Sequence, residues 1–297
     1  MTFSEEQFIR WITAQPAGPA PAGSAPPAPL PVGPGDDAAW LADGTILCVD
    51  TVVEGVHFSA GTDPDAIARK ALGACLSDVC AMGAVAETVL VAAQLPQGCD
   101  GRALAMGLAR WARAFSVHLA GGDTVSSGSG VLALSVTASG HLPTGCSPWL
   151  RSGAKVGDQL VVSGPLGGSR AARHLQLRPR ADLVATLRTS DVPVHAAMDL
   201  SDGLAIDLPR LLAASAVGAA VSGAQVPIHS DVPLGGDRLQ AALCDGEDFE
   251  LLLALDRSCP PPPGTTIIGQ VTESGLTLTG SDGAPRPWPS QGFTHAF

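Results

Sequence analysis

The strongest constraint on the fold is an alternation of β-branched segments with amphipathic helical segments, which runs twice along the chain. In the first series, residues 45–53, 88–95 and 131–139 are predicted strands, and helices are predicted from Asp63-Pro64 onward and over 102–115. In the second series, residues 159–163, 196–200, 249–255 and 266–278 are predicted strands, and 169–177 and 204–214 are predicted helices. The connections mix hairpins and crossovers, which predicts an α/β fold with mixed sheets rather than a single Rossmann sheet.

Two aperiodic segments predict the domain organisation. Residues 2–13 have the pattern of a short amphipathic helix, and residues 15–34 are rich in Pro, Ala and Gly, which is typical of an extended linker. Residues 142–152 lack periodicity and are rich in turn-forming residues. We therefore predict a helix and linker over 1–34, an N-terminal domain over 35–141 and a C-terminal domain over 142–297.

The charge balance limits the classes of partner. The chain of 297 residues has a formal net charge of −11 and only two lysines, Lys70 and Lys155. Nucleic acids and anionic membranes are held by clustered Lys and Arg, so neither partner is expected. An acidic protein that binds a phosphate substrate needs a cation between them, and a divalent metal is the natural candidate.

Cysteine usage and hydropathy point to the cytoplasm. The seven cysteines are an odd number and form no C-x-x-C pair, which favours free thiols in a reducing compartment. No run of 18 uninterrupted apolar residues is present, so no membrane span is expected.

Aspartates next to glycines or at the ends of predicted elements are the candidate metal ligands. They occur in Gly35-Asp36-Asp37, Val49-Asp50-Thr51, Ser77-Asp78, Gly121-Gly122-Asp123-Thr124 and Asp199-Leu200-Ser201-Asp202-Gly203. Each alone is also typical of an ordinary turn, in which the carboxylate bonds its own backbone. Asp78 is the sharpest case, because it lies beside the apolar stripe of a helix, where a carboxylate is costly unless it is paired or bound to metal.

Common nucleotide-binding and hydrolase motifs are absent. The chain has no G-x-x-x-x-G-K-[ST] loop, no G-x-G-x-x-G between a strand and a helix, and no G-x-S-x-G elbow. A P-loop kinase and a dinucleotide dehydrogenase are therefore unsupported.

Eight ordered blocks carry a resemblance to a known family. They are GDDAAW (35–40), VDTVVEGVHF (49–58), RKALGACLSDVCAMGA (69–84), GGDT (121–124), RSGAKVGD (151–158), SGPLGGS (163–169), MDLSDGLAIDL (198–208) and GEDFELL (246–252). Together they resemble thiamine-monophosphate kinase, from about residue 33 to the C-terminus. The resemblance implies a PurM-like fold whose N-terminal sheet pairs across a homodimer, with ATP and several Mg²⁺ ions between the domains. The implied reaction passes the γ-phosphoryl group of ATP directly to thiamine monophosphate, giving thiamine diphosphate.

The same resemblance implies roles for individual positions. The metal-binding positions are Asp37, Asp50, Asp78, Asp123, Asp199 and Asp202, with Cys48 and Val49 where the family has hydroxyl residues. The ATP-binding positions are Gly122, Asp123, Arg151 and Ser201, and the substrate-binding positions are His57, Glu247 and Phe293. No catalytic residue is implied beyond the metal ligands, because the acceptor is already an ionised phosphate and needs no general base.

Some of these residues also have an ordinary structural interpretation. Without the resemblance, Arg151 is equally typical of a salt bridge at a domain junction, His57 of a satisfied core histidine, and Glu247 of a solvated turn. A thiol at Cys48 is a poor magnesium ligand.

The alternative functions are another PurM-like ATP-using enzyme, such as aminoimidazole ribonucleotide synthetase, or a catalytically silent nucleotide-binding homologue.

Overall fold

The computed structural model describes residues 30–128 and 130–293, together with residues 7, 8, 11, 12 and 14. The predicted helix over 2–13 and the Pro/Ala-rich segment over 15–34 lie largely outside the described residues. Within the described part, no helix is long and apolar enough to cross a membrane.

The first sheet has five strands. In chain order the elements are β1 (Ala39–Trp40), β2 (Thr45–Val53), α1 (Pro64–Ala81), β3 (Val85–Pro96), α2 (Gly101–Ala114), β4 (His118–Ser127) and β5 (Ala133–His141). The strand order is β1-β2-β5-β3-β4, and only the β3–β4 pair is parallel. Helices α1 and α2 pack on one face of this sheet, where side chains such as Leu72, Leu104 and Leu134 form a common core. The strand predicted over 45–53 matches β2 residue for residue.

The second sheet has seven strands. Its elements are β6 (Gln159–Val162), two 3₁₀ helices (Ser169–Ala171 and Arg173–Gln176), α3 (Ala181–Arg188), β7 (Val194–Asp199), α4 (Leu204–Ser215), β8 (Gly218–Ser222), α5 (Arg238–Cys244), β9 (Leu251–Leu255), β10 (Thr266–Thr272), β11 (Leu276–Thr279) and β12 (Pro285–Arg286). The order is β12-β11-β8-β10-β6-β9-β7, with only β8 and β11 parallel. The two mixed sheets confirm the predicted α/β class.

The burial of strand β9 shows that the second sheet is covered on both faces. Its sequence LLLAL is buried throughout, with Leu251, Leu253 and Leu255 packing on the side of α3 and Leu252 and Ala254 packing on the side of α4 and α5. A strand that is buried on both faces is a continuous apolar run rather than an alternating one.

Helix α1 lies between the two sheets. Asp63 caps it by accepting a hydrogen bond from the backbone N–H of Asp65, and Pro64 occupies its first turn, as predicted. Most of the helix packs on the first sheet, whereas Cys80 and Ala81 belong to the core formed by α3 and the second sheet. Its polar side chains are thereby placed where the two sheets meet.

Some elements differ from the predictions. The helix predicted over 169–177 is wrong, since the region forms two short 3₁₀ helices. Strands β4 and β8 and helices α3 and α5 were not predicted. In β4, Gly121 and Gly122 are typical of a turn, but an edge strand pairs on one side only and tolerates them.

Candidate active site

Three carboxylates from distant parts of the chain meet beside α1. Asp37 precedes β1, Asp78 lies in the last turns of α1, and Asp199 ends β7; one oxygen atom of each lies within 4.8 Å of the others. Two neighbours hold them. Ser77 Oγ donates to Asp199 Oδ2 at 2.8 Å, and the guanidinium of Arg151 donates to Asp37 Oδ1 at 2.6 Å. Three of the predicted metal positions therefore meet in one cluster that could hold a metal ion.

The electrostatics of this cluster favour a cation. Burial, followed by the charges of neighbouring aspartates, raises the pKa of Asp78 and of Asp199 well above the usual range. Burial also raises the pKa of Asp37, although Arg151 opposes the shift. Asp37 Oδ2 is buried and has no hydrogen-bond partner among the described residues. Carboxylate oxygens in this arrangement are the ligands that Mg²⁺ prefers, so the residues present fit a divalent ion.

A cavity of about 200 Å³ opens beside the cluster. The described residues that line it are Val49, Asp50, Val52, His57, Lys70, Ala74, Asp78, Asp199, Ser201, Asp202, Glu247, Phe249 and Phe293. The structure therefore brings most of the predicted metal and substrate positions to a single cavity. Asp37 and Arg151 are not among the described lining residues, but Asp37 adjoins Asp78 and Asp199, which are, and Arg151 bonds to Asp37.

One end of the cavity combines aromatic rings with a carboxylate. The rings of His57 and Phe293 are 6.3 Å apart, and the guanidinium of Arg170 lies 4.7 Å from the centroid of Phe293. The backbone N–H of Phe293 donates to the carbonyl of Asp202 at 3.2 Å, which connects this end to the acidic end. Glu247 faces the same space and is almost fully buried.

The segment that carries Glu247 has an unusual backbone. Glu247 has φ +55° and Phe249 has φ +49°, both in the left-handed region that non-glycine residues rarely adopt. The conformation is held by hydrogen bonds from the N–H of Glu247 to the carbonyl of Ser201 and from the N–H of Phe249 to the carbonyl of Leu200, at 2.7 and 2.8 Å. Such local strain persists only where the surroundings enforce it, and it concentrates at functional sites.

Asp202 has partners of its own. Arg210 donates to Asp202 Oδ2 at 2.5 Å and to Asp207 Oδ1 at 2.9 Å, and Asp207 also accepts from the backbone N–H of Asp202. Burial and the charge of Asp202 raise the pKa of Asp207 to about 7. The ion pair between Arg210 and Asp207 therefore holds the loop after β7 in place. Sequence analysis did not identify this pair.

Gly122 and Asp123 do not reach this cavity within the chain. Both lie in the edge strand β4, and neither is among its described lining residues. Register pairs Asp50 with the buried Val136, whereas Asp123 pairs with the exposed Ala92. Paired residues point to the same side of a sheet, so Asp50 and Asp123 lie on opposite faces.

Cys48 and Val49 are not placed as metal ligands by their side chains. The thiol of Cys48 points into the core, where it donates to the carbonyl of Cys75 at 3.3 Å. Val49 borders the cavity, but its side chain is on the outer face of the sheet and is 64% exposed. The side chains that could hold a cation are therefore the aspartates.

Sequence reasoning also missed Lys70, His174 and Ser77. Lys70 could have been found, because a lysine within the apolar stripe of a helix requires a buried partner. His174 and Ser77 carry no comparable signal, since their roles depend on contacts with residues far along the chain.

Comparisons with known proteins identify relatives of this chain. Residues 35–142 match the family model described as "AIR synthase related protein, N-terminal domain". The chain is 38% identical over 269 residues to the thiamine-monophosphate kinase of Rhodopirellula baltica, covering 84% of this chain and 81% of the relative. It is 35% identical over 252 residues to that of Bacillus subtilis, covering 74% and 76%.

Solved structures give the same relationship. The structure titled "AaThiL complexed with AMPPCP and TMP" has a TM-score of 0.82 and 26% identity, and the match covers 99% of this chain and 97% of that one. The crystal structure of thiamine monophosphate kinase from Aquifex aeolicus has a TM-score of 0.76 and 27% identity, covering 84% and 91%.

Proposed function

The chain belongs to the thiamine-monophosphate kinase family, and on that premise we propose that it transfers the γ-phosphoryl group of ATP to the phosphate of thiamine monophosphate. The products are thiamine diphosphate and ADP. The observation that carries this conclusion is the meeting of Asp37, Asp78 and Asp199 beside a cavity whose other end holds His57, Glu247 and Phe293. One end suits phosphates through metal ions, and the other suits an aromatic cation.

The acidic end is proposed to hold Mg²⁺. Asp37, Asp78 and Asp199 form the central set, and Asp50 and Asp202 extend it along the cavity wall. When bound, Mg²⁺ neutralises phosphate charge and holds donor and acceptor phosphates in line. Cys48 and Val49 contribute no side-chain ligand to this set. Two observations support a cation here. Asp37 Oδ2 is buried without a hydrogen-bond partner among the described residues, and burial and the charges of neighbouring aspartates raise the pKa of Asp78.

The chain's own residues act by binding and alignment. Arg151, fixed by Asp37, and Ser201, on the loop after β7, are proposed to bind ATP phosphates. His57 and Phe293 are proposed to enclose the thiamine rings, and Glu247 to offer a carboxylate to their positive charge. No side chain has to remove a proton, because the acceptor oxygen is already ionised, so the transfer is direct.

The active enzyme is proposed to be a homodimer. The face of the first sheet opposite α1 carries exposed apolar side chains, including Leu47, Val49 and Leu90, and the edge strand β4 is exposed along nearly its whole length. An open edge and an apolar face are costly in water and are commonly covered by a partner. Because neither Asp123 nor Gly122 is among the described residues that line the cavity of their own chain, they are proposed to serve the site of the partner.

Two further expectations belong to the same proposal. The division into domains at about residue 142 follows the two sheets, and a cytoplasmic location agrees with the free state of all seven cysteines.

The test is a coupled ADP-release assay on the purified full chain with ATP, Mg²⁺ and thiamine monophosphate, with thiamine diphosphate identified by chromatography. Turnover that depends on thiamine monophosphate supports the proposal. ADP release that is independent of it favours another ATP-using enzyme of the same fold, and ATP binding without turnover favours a silent homologue. Either of those results contradicts the proposed activity.

A further inference from the structure

Lys70 is a buried lysine that lines the cavity. It is one of two lysines, and it lies in the middle of α1 with its side chain fully buried, at 0% exposure. Burying an ammonium group is costly unless the charge is paired and hydrogen-bonded. Of the described residues that line the 200 Å³ cavity, it is also the only lysine or arginine.

Two side chains accept hydrogen bonds from the ammonium. Lys70 Nζ lies 2.7 Å from Glu247 Oε1 and 2.8 Å from His174 Nδ1. Burial, followed by the charge of Lys70, lowers the pKa of His174 to about 4, so its imidazole is neutral at pH 7. The Nδ1 atom is then an acceptor, and the ring proton is on Nε2. Burial lowers the pKa of Lys70, and the charge of Glu247 together with the hydrogen bond to it opposes that shift. The ammonium of Lys70 thus faces Glu247, and His174 orients it without adding charge.

The geometry leaves one oxygen of Glu247 for a ligand. Glu247 Oε1 is occupied by Lys70, whereas Oε2 lies 3.3 Å from His174 Nδ1, which is itself an acceptor and donates nothing to it. The strained backbone of Glu247 and the bond from its N–H to Ser201 fix the direction of the carboxylate. A carboxylate held in this way is suited to a cationic ring or an amino group.

We propose that Lys70 is a positioning residue for thiamine recognition: its ammonium, oriented by His174, holds the carboxylate of Glu247 directed at the thiamine rings. This inference rests on the proposed function. Lys70 acts through Glu247 and not on the substrate phosphate, since two of its three N–H bonds are already given to protein acceptors. The structure thus assigns a role in substrate affinity to a residue of α1 that lies outside the metal-binding set.

Binding measurements separate this role from a contact with phosphate. Dissociation constants of thiamine, thiamine monophosphate and AMPPCP with Mg²⁺ are measured by calorimetry for the wild type and for Lys70→Met. We expect thiamine and thiamine monophosphate to bind more weakly by a similar factor of roughly 10- to 100-fold, as for loss of a charged hydrogen bond, with AMPPCP nearly unchanged. The exposed Lys155→Met is the matched control and should match the wild type. Loss of affinity for the monophosphate alone would overturn the proposal in favour of a phosphate contact.

A double-mutant cycle tests whether Lys70 acts through Glu247. Glu247→Gln and Lys70→Met/Glu247→Gln are compared for thiamine affinity; the double variant buries no unpaired charge, so it guards against misfolding of the single Lys70 variant. If Lys70 acts through Glu247, adding Lys70→Met to Glu247→Gln causes no further loss of affinity. Independent, multiplying losses contradict the proposal. Failure of wild-type turnover would count against the proposed function instead, since thiamine affinity is measured without it.

Discussion

At the scale of single residues, the carboxylates proposed as metal ligands oppose folding of the metal-free chain. Asp37, Asp78 and Asp199 lie close together, and the guanidinium of Arg151 donates to Asp37. Each carboxylate whose pKa rises on folding opposes folding once the pH is high enough to ionise it. A divalent ion at the proposed site would oppose this effect, because it would bind the native cluster and not the unfolded chain.

The first prediction concerns pH and magnesium. Protons are bound more tightly in the native state by the aspartates whose pKa is raised, including Asp207 at about 7. Their contribution to stability is fully present below the ordinary pKa of 3.8 and is lost as the pH rises to about 7 and beyond. Without metal, the Tm should therefore rise as the pH falls from 8 to 6. Added Mg²⁺ should raise the Tm more at pH 8 than at pH 6, measured by scanning calorimetry with and without EDTA.

The second prediction concerns Asp78 alone. Asp78→Asn removes a carboxyl group whose ionisation opposes folding while keeping the shape of the side chain. At pH 8 the metal-free protein should therefore unfold at a higher temperature than the wild type by a few degrees, as expected for about 1 kcal/mol. Turnover should fall below detection, and the stabilisation by Mg²⁺ should shrink, because a ligand is lost. Ser77→Ala is the comparison in the same turn; it removes the bond to Asp199 but no charge. A variant of Asp78 that keeps both activity and magnesium stabilisation would remove it from the metal site.

At the scale of secondary-structure elements, helix α1 contributes both to the hydrophobic core and to the candidate site. It begins at a capped N-terminus, packs on the first sheet and brings Lys70, Ser77 and Asp78 to the second. Its apolar positions are distributed almost all the way round, as expected for a helix buried between two layers.

The third prediction tests the cap of this helix. Asp63 Oδ1 accepts from the N–H of Asp65 at 3.0 Å, so Asp63→Ala should lower the free energy of unfolding by about 1 kcal/mol. Urea denaturation measures the effect. Asp100→Ala, which removes the equivalent cap of α2, should cost a similar amount, because Asp100 Oδ1 accepts from the N–H of Ala103 at 2.9 Å. Neither change should alter the KM for thiamine monophosphate; a rise for Asp63→Ala would mean that fraying of α1 reaches the site.

The elements also explain what could be predicted from the sequence. Strand β2 alternates between core and surface, and Asp63-Pro64 is a strong helix start, so both were predicted correctly. Strand β4 was missed because Gly121 and Gly122 resemble a turn, and the two 3₁₀ helices were read as one helix because local periodicity does not distinguish them.

For the candidate site, the resemblance of the ordered motifs predicted which aspartates bind metal. The local pattern around each aspartate did not distinguish a metal ligand from an ordinary turn residue. The partners of Lys70 could not be predicted, because Glu247 is 177 residues away and approaches only when the two sheets assemble. Long-range contacts of this kind are set by tertiary packing, and a single sequence does not encode them in any local period.

At the scale of the whole molecule, the outer face of the first sheet predicts self-association. Val49, Thr137, Leu90 and Gly121 form one row across four strands on this face, and Thr51, Ser135, Ala92 and Asp123 form the next. The fourth prediction is that the chain of 29.9 kDa has twice this mass by light scattering. Leu90→Glu should give monomers, because it places a charge in the centre of the face, while Met106→Glu, at an exposed position on α2, should not.

The fifth prediction asks whether Asp123 serves the partner's site. Asp78→Asn and Asp123→Asn chains should each be inactive as homodimers. If Asp123 acts across the interface, a mixed dimer has one site that combines the intact Asp78 of one chain with the intact Asp123 of the other. Random reassociation of equal amounts should then restore about a quarter of wild-type activity, since half of the dimers are mixed and each has one complete site. If Asp123 acted within its own chain, every site would carry one defect and the mixture would stay inactive. The opposite sheet faces of Asp50 and Asp123 favour the first outcome.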